Sequence, residues 1–137
     1  MISLLALSAA MLQPPAPFPV AKSSAMHRAL VGLVMPRIRQ RTGQPAVRLR
    51  VDHLVTDRAG KALLYGTLLD ARHRFVKDRT TGSHFVFVGL KQTKKKWQVD
   101  WLRFRIKEAM EFETSRGYGH LIPAVCLRVG PAGEDLR

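Results

Sequence analysis

The segment from His84 to Phe104, HFVFVGLKQTKKKWQVDWLRF, constrains the fold more than any other part of the chain. From Phe85 it alternates phenylalanine and valine, continues with glycine and leucine, and carries no charge until Lys91. Aromatic and β-branched residues fit a pleated, buried surface. Because side chains alternate along a strand, both faces of this run are apolar, which predicts a central strand covered on both sides.

The return run is amphipathic. Trp97, Val99 and Trp101 alternate with Gln98 and Asp100, which predicts that the two tryptophans share one buried face. The intervening Gln92 to Lys96 is expected to form a loop with its lysines at the tip, since adjacent like charges repel each other and need water. The segment therefore predicts a β-hairpin.

Two earlier runs predict two more strands. In AVRLRVDHLV, ending at Val55, the apolar residues and His53 alternate with Arg48, Arg50 and Asp52. After a turn at residues 56–60, a second strand is expected from Lys61 to about Phe75, with apolar residues on both faces.

Helical patterns flank these strands. Ser23 or Ser24 can cap a helix from Ala25 to about Gln40 that ends before Gly43; Pro36 predicts either a bend or two short helices. Residues 106–116 have helix-forming composition. The predicted fold class is α+β: an N-terminal helix packed on a curved four-stranded antiparallel meander, with a short C-terminal helix.

The N-terminus is apolar from Ile2 to Leu12, which is too short to cross a bilayer because a spanning helix needs about 20 residues. It resembles a secretory signal with a small-residue cleavage site ending at Ala10, although no Lys or Arg precedes it. We expect export to the periplasm or the exterior; organellar targeting and an unprocessed N-terminus are the alternatives. The expected organisation is a leader and proline-rich spacer over residues 1–22, one domain over 23–129 and a flexible tail over 130–137.

Charge is the clearest functional signal. The chain of 137 residues has 23 Lys and Arg against 10 Asp and Glu, a net charge of +13. Such a field favours a polyanionic partner (nucleic acid, anionic lipid or acidic polysaccharide), with a protein partner as a further possibility. The predicted polyanion-binding residues are Arg72, Arg74, Lys77 and Arg79 in one connection and Lys94, Lys95 and Lys96 at the hairpin tip. The alternative is that these are solvated turns.

The sequence gives little support for catalysis. The five histidines are scattered without ligand spacing and Cys126 is the single cysteine, so no metal site, cofactor or catalytic residue is predicted. A ligand pocket is considered at four residues on apolar strand faces, with ordinary core packing as the alternative. The pocket residues are His53, Tyr65, Trp97 and Trp101.

The closing strands SHFVFVGLKQTKKKWQVDWLRF resemble the end of the cone-shaped α+β superfamily of nuclear transport factor two, or its simpler cystatin-like version. The likeness covers about residues 24–105 and lies in an apolar strand, a polar turn and a W-x-V strand. It implies a cavity between helix and sheet, and in enzymes of this superfamily an Asp or His inside the cone. The candidates that the resemblance offers for such a site are Asp70, Asp100, His53 and Tyr65. Members include enzymes, binders and adaptors, so fold alone does not select a function.

Three functional hypotheses follow. The first is an exported, non-catalytic accessory domain that binds through a basic surface. The second is an organellar ribosomal or RNA-associated protein, which explains the charge directly. The third is a small-molecule-binding or enzymatic cone.

Overall fold

The computed structural model describes residues 17–104 and 117–122. It contains one α-helix and a five-stranded antiparallel sheet in the order β1-β2-β3-β4-β5. The elements are β1 (Phe18–Pro19), α1 (Ala25–Thr42), β2 (Arg48–Thr56), β3 (Lys61–Leu69), β4 (Phe85–Thr93), β5 (Lys96–Arg103) and a short 3-10 helix (Gly119–Leu121). The α+β prediction is confirmed. The expected leader and C-terminal helix lie outside the described residues.

The prediction of four strands is wrong because a fifth lies in the proline-rich segment expected to be a spacer. Phe18 pairs with Thr56 and Pro19 with Val55, and the amide of Val20 then donates to the carbonyl of Leu54 at 2.9 Å. Proline is tolerated at the edge of a sheet, where its missing donor breaks no ladder. β1 is thus a two-residue edge strand.

Helix α1 begins and ends as its capping residues predict. The Ser24 hydroxyl accepts the amide of His27 at 3.1 Å, and Gly43 adopts φ 67° while its amide donates to the carbonyl of Arg39. Pro36 lies inside this single helix, so the two-helix alternative is wrong. The buried face of α1 consists of Leu30, Val34, Ile38 and Thr42.

The sheet is apolar on both faces, as expected for β3 and β4. We call the side that packs on α1 the helix face; it includes Val86 and Val88 of β4. The other side, the second face, includes Phe87. A separate buried cluster lies on the second face and consists of Val55, Leu63, Tyr65, Phe87, Trp101, Tyr118 and Leu121.

Two β-bulges change which residues share a face. Val51 pairs with Gly66 and His53 with Tyr65, so Asp52 is an extra residue in β2. In the same way Asp100 is an extra residue in β5 between the partners of Leu90 and Gly89. An extra residue sends the side chains after it to the opposite face.

The central hairpin forms with a tighter turn than expected. β4 ends at Thr93 and β5 begins at Lys96, which leaves Lys94 and Lys95 as the whole turn instead of a loop over Gln92 to Lys96. Lys94 has φ 51° and Lys95 φ 66°. Two positive φ values are the signature of a type I′ turn, whose twist matches the flanking strands.

Candidate functional site

Two basic segments meet at one end of the sheet. Arg48, the first residue of β2, pairs with Leu69, the last residue of β3, so the β3–β4 connection emerges where β2 begins. Arg41, in the last turn of α1, donates from Nε to Oδ1 of Asp78 at 3.2 Å and ties the helix to that connection. We call this region the arginine end. Its cations are Arg37, Arg39, Arg41, Arg48, Arg72, Arg74, Lys77 and Arg79.

All eight cations of the arginine end are exposed. Arg41 is paired with Asp78, and Arg74 Nε lies 3.0 Å from Asp70 Oδ2. The other six have no ion pair within the described residues. Asp70 and Asp78 are the only acids in segments 37–48 and 70–84, which leaves an excess of six positive charges.

Asp78 and Asp70 order the β3–β4 connection. The Asp78 side chain, 1% exposed, accepts the amide and the hydroxyl of Thr81, each at 2.9 Å. Burial raises the pKa of the Asp78 carboxyl, but the hydrogen bonds from Arg41 and Thr81 outweigh it and hold the pKa below its usual value. The pKa of Asp70 is also lowered, first by the backbone amide of Arg74.

An aromatic stack lies in the same connection. The Phe75 side chain is 59% exposed and its ring stacks on the imidazole of His84, with centroids 4.2 Å apart and planes 20° apart. Phe75 forms a bridge with Leu69, whose other neighbour is Arg48, so an open ring lies in the β3–β4 connection beside the start of β2. The sequence reading missed this feature because it placed Phe75 inside a longer β3, which in fact ends at Leu69.

The predicted polyanion-binding residues divide between opposite ends of the sheet. Arg72, Arg74, Lys77 and Arg79 belong to the arginine end. Lys94, Lys95 and Lys96 lie at the other end, which we call the lysine end, beside the turn that joins β2 to β3. β4 connects the two ends and its nine residues span about 30 Å. The two groups therefore form two surfaces. The arginine end carries four of the predicted residues and the lysine end carries three.

The four predicted pocket residues do not line one cavity. Tyr65 and Trp101 are buried in the cluster on the second face. Trp97 packs on the helix face, because the bulge at Asp100 separates it from Trp101. His53 is exposed on the second face, because the bulge at Asp52 turns it away from Val51.

The two carboxylates implied by the family resemblance have structural partners. Asp70 lies in the turn of the β3–β4 connection. Asp100 Oδ2 lies 3.1 Å from the Tyr118 hydroxyl, which is also 3.1 Å from the carbonyl oxygen of Leu90, and its Oδ1 lies 3.6 Å from Lys91 Nζ. Neither carboxylate lines the cavity of about 210 Å³ that His53 borders.

A hydrogen bond between a histidine and an aspartate joins the segment 117–122 to the sheet. His120 Nε2 lies 2.9 Å from Oδ2 of Asp57, whose Oδ1 accepts the amides of Ala59 and Lys61. Burial raises the pKa of Asp57, but these bonds outweigh it and lower the pKa overall. Because the side chain of Asp57 is 4% exposed and both of its oxygens already have partners, the contact fastens a segment and leaves little room for a substrate.

Within residues 17–104 and 117–122 no cluster of three or more His, Cys, Asp or Glu side chains is arranged to hold a metal ion. In the same residues the helix is not long and apolar enough to cross a membrane. Comparisons with family models, with curated proteins and with solved structures find no match for this chain.

Proposed function

We propose that this protein is a non-catalytic binding domain whose arginine end holds single-stranded nucleic acid. The observation that carries the proposal is the open ring of Phe75, stacked on His84 in the connection that carries four of the eight exposed cations. Single strands are held by a positively charged surface that follows the phosphates and by aromatic rings on which bases stack.

Each part of the arginine end has a role in this proposal. The guanidinium groups donate two parallel hydrogen bonds to a phosphate, a geometry that lysine lacks. The ring of Phe75 supplies stacking energy of about 1–3 kcal/mol per base. Acidic polysaccharides and anionic headgroups use the cations but offer no flat ring to Phe75, so nucleic acid fits the whole surface better.

The proposal is tested by fluorescence anisotropy with a labelled single strand of about 16 nucleotides, as RNA and as DNA. Arg72→Gln with Arg79→Gln removes two unpaired cations at the arginine end. Lys94→Asn with Lys95→Gly removes two at the lysine end and is the matched control. We expect the first pair to weaken binding about tenfold and the second by less than about threefold. Equal losses would contradict the assignment to one end.

Phe75→Ala separates nucleic acid from other polyanions. We expect it to weaken oligonucleotide binding about tenfold, from the lost stacking, and to leave heparin and anionic vesicles unaffected. Phe18→Ala is the control, because Phe18 is a 46% exposed aromatic residue in the edge strand β1. If Phe75→Ala leaves oligonucleotide affinity unchanged, or if heparin and vesicles bind more tightly than the single strand, the nucleic-acid assignment is wrong.

We also propose export, on the apolar run from Ile2 to Leu12, and this is tested separately. The intact mass of the protein recovered from each cell fraction distinguishes the cases. A chain beginning after Ala10 outside the cytoplasm supports export, and the nucleic acid would then also lie outside the cytoplasm. An uncut chain that purifies with RNA supports the organellar or RNA-associated alternative.

A further inference from the structure

An open cleft of about 510 Å³ lies at the lysine end, away from the proposed nucleic-acid surface. Its walls are β1, the start of α1, the β2–β3 turn and the β4–β5 hairpin. Phe18, Val20, Met26 and Trp97 supply apolar surface. The last three of these also pack against the core of the helix face, so the floor of the cleft is fixed by the fold.

The polar groups of the cleft differ in whether they can still bind a ligand. The Thr56 hydroxyl donates to the carbonyl of Lys61 and accepts the amide of Arg58, so it is already used. The guanidinium of Arg58 lies over the ring of Phe18, with Cζ 3.4 Å from the ring centroid, and has no ion pair within the described residues. No acidic side chain lines the cleft. Its electrostatic character is therefore that of one accessible cation above an apolar floor.

We infer that this cleft binds a small anionic amphiphile, a carboxylate joined to an unbranched apolar chain. The chain lies against Trp97 and Met26, and the carboxylate accepts hydrogen bonds from Arg58 at the mouth. The volume is within the range of about 300–1,000 Å³ typical of small-molecule sites with an apolar lining and few polar groups. A cationic amphiphile is repelled by Arg58, and a neutral one leaves the guanidinium without an anionic partner.

The position of Arg58 favours this role. It has φ 59°, a left-handed conformation that is costly for a residue with a side chain. The turn is held there by Asp57, which accepts the amides of Ala59 and Lys61, so the guanidinium is presented from a fixed backbone. A pre-organised donor loses less entropy on binding than a flexible one.

Isothermal titration calorimetry of the full chain with decanoate tests the inference, with decanol as the uncharged analogue. We expect saturable one-to-one binding of decanoate, with decanol about tenfold weaker, since a charge-assisted hydrogen bond is lost. Arg58→Asn, which tolerates the left-handed backbone, should weaken decanoate about tenfold and leave decanol unchanged. Lys95→Asn is the matched control: it removes one charge at another left-handed position of the same end, outside the cleft, and should change neither.

Ala21→Phe tests the site itself, because Ala21 is an exposed residue of the cleft wall and a larger side chain there fills the cavity without entering the core. We expect it to abolish binding while the circular dichroism spectrum stays unchanged. Absence of saturable decanoate binding would overturn the inference. So would equal losses from Arg58→Asn and Lys95→Asn, which would show general attraction to a basic protein, or full binding by a folded Ala21→Phe variant.

Discussion

Arg41 Nε lies 3.2 Å from Asp78 Oδ1, and this ion pair joins the C-terminal turn of α1 to the connection between β3 and β4. The two residues are 37 positions apart in the chain. Ile38 of the helix and Val76 of the connection also lie in one buried cluster. The ion pair adds to this packing and holds the arginines of the helix end near those of the connection, at the arginine end.

Replacing Asp78 by Asn should loosen that connection. The amide cannot accept the hydrogen bonds from Arg41, Thr81 N and Thr81 Oγ1 as the carboxylate does. We expect the free energy of unfolding at pH 7 to fall by about 2 kcal/mol, measured by urea denaturation, since bonds to a buried charged acceptor are lost. A loss below about 0.5 kcal/mol would show that Asp78 does not hold the connection.

The effect of Asp78→Asn should depend on pH in a defined direction. The pKa of Asp78 is lower in the folded protein than its ordinary value of 3.8. Its contribution is therefore complete above that value and is lost as pH falls through the folded pKa. The difference between wild type and Asp78→Asn should shrink below about pH 4, as shown by denaturation at a series of pH values. A difference that stays constant down to pH 2 would contradict the account.

Lys94→Asn with Lys95→Gly should stabilise the protein. Both lysines occupy left-handed backbone, where a side chain costs roughly 1–2 kcal/mol and Asn or Gly costs less. Asn-Gly is also the preferred pair for this turn. We expect the free energy of unfolding to rise by about 1 kcal/mol, with Lys96→Gln as the control for lost charge alone. An equal gain from Lys96→Gln would attribute the effect to charge.

Gly89→Ala should be destabilising by about 2 kcal/mol, measured by thermal or urea unfolding. The Trp101 indole lies against Gly89, its partner across the strands, so a Cβ at position 89 would collide with the ring. Gly32→Ala is the control, since nothing lies within 4 Å of that position in α1. It should stabilise the protein by roughly 0.8 kcal/mol because alanine is the better helix former. Equal responses would contradict the packing of Trp101 on Gly89.

The sequence predicted the positions of the helix and strands better than it predicted the sheet face on which each side chain lies. Capping and turn residues placed α1 and the hairpin, because those signals are local. The two bulges were invisible, since the alternation around Asp52 and Asp100 reads the same with or without an extra residue. Each bulge is defined by pairing with another strand, and each moved one predicted pocket residue, His53 or Trp101, to the opposite face.

The charge of the candidate site could be predicted from the sequence, but the position of its residues in the fold could not. Lysine and arginine are countable, whereas the division into two ends follows from strand order. The role of Asp78 as partner of Arg41 and the exposure of Phe75 also depend on contacts between distant segments. The contact of His120 with Asp57, across 63 residues, had no local signal.

The central claim is that the arginine end binds a single strand through its phosphates, and the salt dependence of that binding tests it most directly. The observed affinity for an oligonucleotide should fall linearly on a log–log plot against salt, with a slope of roughly −2 to −4 if three to six cations contact phosphates. Arg72→Gln with Arg79→Gln should reduce the magnitude of that slope by about 1.4. No binding at low salt, or a slope that these two substitutions leave unchanged, would contradict the account.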